Sequence, residues 1–149
     1  MKKILIATDG SGPSREAVDF GLALAVEHQA DVAFVHAVPA DEYMYVGRLG
    51  PAVPIQHEEP IDESESALRE AADAAEEAGV PYTLERISGP TVDAVLTTAD
   101  EMDADLIVVG SHGRGAIGAA LLGSVSRDLV KRARRPVLVV KGAQVPVGA

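Results

Sequence analysis

The chain contains no cysteine, which excludes disulfides, thiolate nucleophiles and thiolate metal sites together. Long apolar runs are missing as well. Apolar residues make up 47% of the sequence, yet the longest aliphatic stretches, such as residues 106–109 and 137–140, are short. They fall far below the ~20 residues that a membrane-spanning helix needs. The opening run Lys3-Ile4-Leu5-Ile6 reaches only to Asp9 and carries no small-residue cleavage pattern, so no signal peptide and a cytoplasmic location are expected. Positive charge is scarce: 13 Lys and Arg face 23 Asp and Glu, for a formal net charge of −10. Such a surface repels nucleic-acid phosphates and anionic lipid, and neither is an expected partner. The basic cluster Lys131, Arg132, Arg134 and Arg135 sits where a helix should end, and cations there complement the negative end of the helix dipole.

What the sequence does have is an alternation of short β-like runs and helical segments in a length that suits one domain. Residues 3–7 read as the first strand. Ser11 or Ser14 can cap the helix that follows, which carries Ala17, Gly21, Leu24 and Ala25 at helical spacing to about His28. Residues 32–38 read as the second strand. Asp62 to Glu65 has capping-box spacing, Leu68, Ala71, Ala72, Ala75 and Ala78 share one face behind it, and Gly79 ends that helix. After Pro81, Tyr82 and Leu84 alternate with polar residues, as in a strand at a sheet edge. Thr91 opens a helix with Val92, Val95, Leu96 and Ala99 on one side. Residues 106–109 are apolar throughout, which predicts a strand covered on both faces, and a last helix over about 121–134 precedes a strand at 137–141. The expectation is an α/β domain, singly folded and doubly wound, over residues 1–142. A proline-rich loop at 39–60, a lid or a flexible segment, and a tail at 143–149 lie outside the pattern.

Between the fourth strand and the last helix the chain reads Gly110-Ser111-His112-Gly113-Arg114-Gly115-Ala116-Ile117-Gly118, then Gly123-Ser124-Val125-Ser126. Five glycines in fourteen residues raise the conformational entropy cost of ordering this stretch. Phosphate binding supplies a reason, because amide N–H groups converge on an anion only where no Cβ intervenes, and a helix start adds its positive dipole end. A tight-packing turn is the alternative. Residues 113–118 fit the dinucleotide string G-x-G-x-x-G, but no acidic residue closes the next strand. A Walker A loop fails because Ser124 stands where its lysine belongs. The remaining pattern, G-x-x-G-x9-G-[ST], is met by Gly110, Gly113, Gly123 and Ser124.

Those residues, with Lys3-Ile4-Leu5-Ile6-Ala7-Thr8-Asp9-Gly10-Ser11 at the first strand and turn and Arg135-Pro136-Val137-Leu138-Val139-Val140 at the last, resemble the universal stress protein family, in its ATP-binding branch. The resemblance spans nearly the whole chain. It implies a five-stranded parallel sheet in the order 3-2-1-4-5 with helices on both faces, and a ligand site at the switch point between strands one and four. It further implies that Ala7, Thr8 and Asp9 contact adenine or ribose, with Ala37 beside the base. The loop Gly110, Ser111, His112, Gly113 and Arg114, and the helix start Gly123, Ser124, Val125 and Ser126, would hold the phosphates through backbone and hydroxyl groups.

Each assignment has a rival at this point. Asp9 is either a ribose ligand or a plain turn residue capping the first helix. His112 is a phosphate contact or a base, and Arg114 a γ-phosphate clamp or a solvated arginine. His57, Glu58 and Glu59 match no metal-ligand spacing, and magnesium would arrive with ATP. The expected function is ATP binding in a stress or signalling role with slow or no hydrolysis. An ATP-hydrolysing or nucleotidyl-transfer enzyme is the alternative, and an interaction module without nucleotide a third. A homodimer through residues 137–141 is expected, since an apolar edge strand tends to find a partner and the family commonly pairs there.

Overall fold

The computed structural model describes residues 1–38, 63–111 and 122–141. Within them five strands and four helices alternate: β1 (Lys3–Ala7), α1 (Gly12–His28), β2 (Asp31–Val38), α2 (Glu63–Ala78), β3 (Tyr82–Ser88), α3 (Thr91–Glu101), β4 (Leu106–Gly110), α4 (Ser124–Arg132) and β5 (Val137–Val140). The strands form one sheet in the order β3-β2-β1-β4-β5, and every pairing is parallel. The doubly wound sheet implied by the resemblance is therefore the fold that forms. The segments 39–60 and 143–149 lie outside the described residues.

Side-chain alternation along the inner strands divides the core in two. Ile4, Ile6, Val32, Phe34, Leu106 and Val108 point to one face, where Ala17, Val18, Leu22 and Ala25 of α1 and Leu68, Ala71 and Ala75 of α2 cover them. Leu5, Ala7, Ala33, Val35, Ile107 and Val109 point to the other, under Val92, Val95 and Ala99 of α3 and Leu129 of α4. Strands buried on both faces must be apolar at every position, which is why residues 106–109 carry no polar side chain. Small residues let the helices come close: a Cβ added at Gly21 would lie 2.5 Å from Ile6 Cδ1. The outermost strand β3 is exposed along most of its length, as its alternation with polar residues predicts. Among the described residues no helix is long and apolar enough to cross a membrane.

Several boundaries differ from the sequence reading. Helix α4 runs from Ser124 to Arg132, shorter than 121–134, because Leu122 is not helical, Gly123 is extended (φ −64°, ψ 164°) and Ala133 leaves the helix (ψ 139°) ahead of Pro136. Strand β2 begins at Asp31, where its N–H donates to Lys2 O at 2.8 Å. Strand β5 stops at Val140. The cationic cluster falls where the dipole favours it: Lys131 and Arg132 are in the last turn of α4. Arg132 bonds Asp93 of α3 at 2.6 Å, and Arg135 reaches Asp100, Asp103 and the Ala104 carbonyl.

Candidate functional site

All five strands run the same way, so their carboxyl ends share one edge of the sheet. Chain direction reverses across that edge. From β1 the chain leaves toward β2 under the α1 face, and from β4 it leaves toward β5 under the α4 face, so β1 and β4 flank a switch point. The candidate residues that the structure describes lie there, on both sides.

On the β1 side, Ala7 ends the strand and Thr8, Asp9 and Gly10 turn into α1. Gly10 takes φ 78°, a left-handed angle that a residue with a Cβ rarely adopts. Asp9 Oδ1 accepts the Ser11 N–H at 2.9 Å, so the turn role weighed for Asp9 is present. Ser11 caps α1 by accepting the Ser14 N–H at 3.4 Å. Ser14, buried in the first turn, reaches back to the same loop. Its Oγ lies 2.6 Å from Thr8 Oγ1 and accepts the Asp9 N–H at 3.0 Å. Both serines considered as caps are thus used, Ser11 on the helix and Ser14 on the turn. From β2, His36 Nδ1 lies 2.7 Å from the Thr8 carbonyl, and half-buried Ala37 follows it at the same edge, paired with Ile87.

On the β4 side, Gly110 is the last strand residue and packs against the start of α1. A Cβ there would fall 2.8 Å from Pro13 O and 2.9 Å from Pro13 C. The first glycine of the G-x-x-G-x9-G-S pattern is therefore required by helix packing. Ser111 is buried; its N–H donates to Val140 O at 2.9 Å, and its carbonyl accepts the Gly123 N–H at 2.7 Å. That last bond sets the start of α4 beside the end of β4. His112, Gly113 and Arg114 lie outside the described residues.

Helix α4 opens without a side-chain cap, since Gly123 has none to offer. In contrast to α1, its first turn presents the amides of Ser124, Val125 and Ser126 with no intrahelical acceptor. The angles at Gly123 are open to any residue, so backbone conformation gives no reason for glycine at that position. Ser124 is exposed, and Val125 packs against the α3 face of the sheet. Ser126 departs from the role that the resemblance implies for it. Its hydroxyl is buried, 3.1 Å from Ser111 O and 3.0 Å from Gly123 O, and its single proton goes to one of those carbonyls. As it stands, Ser126 ties this junction together, and only its main-chain N–H faces the helix end.

Sequence reasoning missed His36. The available signal was a lone ring-nitrogen side chain in the apolar strand Asp31–Val38, just before Ala37. Among the described residues no group of three or more His, Cys, Asp or Glu is placed to hold a metal ion.

An open, doubly wound sheet whose switch point joins an Asx turn to an uncapped helix start is the arrangement in which α/β folds commonly carry a ligand site. The universal stress protein family model matches residues 1–141, and the chain belongs to that family. Universal stress protein MJ0531 of Methanocaldococcus jannaschii is 36% identical over 140 residues, covering 94% of this chain and 82% of that one. A crystal structure of a universal stress protein in complex with cAMP superimposes with a TM-score of 0.69 at 30% identity, covering 94% of this chain and 96% of the other. The structure of MJ0577 matches with a TM-score of 0.77 at 26% identity over 96% and 97% of the two chains.

Proposed function

We propose that this protein binds an adenine nucleotide at the switch point, with ATP as the ligand and magnesium as its counter-ion, and that it serves as a nucleotide-responsive stress or signalling protein in the cytoplasm. The observation that carries this reading is the first turn of α4. It is uncapped, begins at a glycine whose angles do not call for glycine, and is held by the Ser111 carbonyl next to the Thr8–Asp9 turn. Three amides and the positive end of a helix dipole make a ready site for a phosphate group. The relative solved with cAMP supports a nucleotide in this fold. Ala7, Thr8, Asp9 and Ala37 would line the nucleoside side, and Gly113, Gly123 and Ser124 the phosphate side, with His112 and Arg114 as further phosphate contacts.

Slow or absent hydrolysis fits the same arrangement. Asp9 Oδ1 accepts the Ser11 N–H, the role of a turn residue, and in this proposal its carboxylate serves the nucleoside rather than an attacking water. The proposed assembly is a homodimer along β5. That strand is an outer one in the sheet, bonded to β4 on one side, and all four of its residues are partly exposed valines or leucine. Mass spectrometry of small molecules released from the purified protein tests the ligand. An adenine nucleotide near one equivalent per chain is the expected result. An empty site that takes up no ATP on addition would overturn the proposal.

A further inference from the structure

We propose that His36 is a positioning residue of the switch-point site: its imidazole occupies the Thr8 carbonyl and so keeps the Ala37 N–H out of the β1–β2 ladder, leaving it for a ligand. Thr8 N–H donates to Val35 O at 3.0 Å, as the next rung of a parallel ladder should. The carbonyl of that same residue would then accept from the N–H two positions beyond Val35, which is Ala37. That rung does not form. The β1–β2 ladder stops at Ala7↔Val35, and the Thr8 carbonyl instead lies 2.7 Å from His36 Nδ1.

Strand β2 itself has not ended there. It stays paired with β3 through Ala37↔Ile87 and Val38↔Ser88, so its direction is fixed while its β1 side opens. A carbonyl only accepts, so Nδ1 carries the proton. The side chain thus does the work of a main-chain donor, at the one edge where β1 and β4 part. Among the described residues the Ala37 N–H is left with no main-chain partner, facing the gap beyond Ala7. An unpaired amide at a partly buried strand position is costly unless water or a ligand acceptor meets it. On the nucleotide reading above, that acceptor belongs to the base. The geometry of the open rung does not depend on that reading.

The test uses the whole chain and separates the two. Amide hydrogen exchange by NMR, without nucleotide, should show Ala37 exchanging at least tenfold faster than Val35 in the wild type. His36→Leu frees the Thr8 carbonyl, and Ala37 should gain at least tenfold protection as the missing rung forms. Adenosine, which lacks phosphates, should bind about tenfold more weakly to that variant. His36→Asn, whose Nδ2 falls near the position of Nδ1, should keep Ala37 fast-exchanging and restore adenosine affinity to within about threefold. His36→Gln, whose amide reaches the Nε2 position, should behave like His36→Leu and replaces it if the leucine variant does not fold. A wild type with the predicted exchange pattern but no affinity for any nucleotide would sink the ligand reading and leave this inference standing. A protected Ala37 amide in the wild type, or unchanged exchange and adenosine affinity in both His36→Leu and His36→Gln, would overturn the role of His36.

Discussion

Replacing Gly110 with alanine should destabilise the protein more than the same change at Gly21, although both glycines lie at the contact between α1 and the sheet. At Gly110 the new Cβ would sit 2.8 Å from Pro13 O, 2.9 Å from Pro13 C and 3.1 Å from Ser14 N. All three are backbone atoms in the first turn of a helix. They cannot rotate away, so either β4 or the amino end of α1 must shift, which costs about 1–3 kcal/mol. At Gly21 the nearest atoms are Ile6 Cδ1 at 2.5 Å and Cγ1 at 3.0 Å, the outer part of a side chain that can change rotamer. That substitution also gains about 0.5–1 kcal/mol by removing a glycine from mid-helix. Its net cost should therefore be about 0–2 kcal/mol, below that of Gly110→Ala. Urea unfolding of the two variants beside the wild type measures both values, with unchanged slopes showing that the states compared are the same. The displaced turn also carries Ser14, so Gly110→Ala should weaken nucleotide binding while Gly21→Ala leaves it nearly intact. A Gly110→Ala protein within about 0.5 kcal/mol of wild type, a change typical of an unconstrained surface site, would refute the packing argument.

Three further outcomes follow from the same contacts. Ser14→Ala removes the acceptor of the Asp9 N–H and the partner of the buried Thr8 hydroxyl, and should cost about 1–3 kcal/mol by urea unfolding; a cycle with Thr8→Val should show coupling of about 0.5–3 kcal/mol. The Asp105 carboxyl is held below its ordinary value by the Lys2 amide first and the Lys3 amide second, at 2.7 and 2.9 Å. Its contribution is therefore full above the unfolded Asp value of about 3.9 and is lost as pH falls through the lower folded value, so the stability gap between wild type and Asp105→Ala, followed by chemical unfolding, should hold steady from neutral pH to about 5 and close in stronger acid. Val139→Lys should give monomers by light scattering at concentrations where the wild type is dimeric, and a wild type that is itself monomeric at tens of micromolar would end the β5 proposal.

Much of this architecture was legible in the sequence because it follows from periodicity. The apolar run 106–109 declares a strand covered twice, and the spacing of Leu68, Ala71 and Ala75 declares a helix lying on the sheet. The turn at Asp9 and the glycine-rich helix start were legible for a different reason, since each residue type there has few uses. What the sequence could not display are bonds that cross between elements. Nothing in the spacing of Thr8, Ser14 and His36 shows that a hydroxyl and an imidazole converge on one turn from two directions. The inward hydroxyl of Ser126 was hidden likewise, because the string Gly-Ser-Val-Ser reads equally well as two phosphate donors or as one exposed serine and one structural tie. The glycines also divide in a way that composition cannot reveal: Gly110 is small because Pro13 lies against it, whereas Gly123 adopts angles that any residue could take.

That last contrast points to the decisive measurement, a calorimetric titration of ATP into the wild type and Gly123→Val. Valine fits the extended angles at position 123, so the variant should fold with the wild-type melting transition. The wild type should bind with a dissociation constant of about 1 μM, or about −8 kcal/mol. The added side chain at the start of α4 should weaken that at least tenfold, about 1.4 kcal/mol. Undiminished ATP affinity in a folded Gly123→Val protein, or no binding by the wild type, would contradict the account.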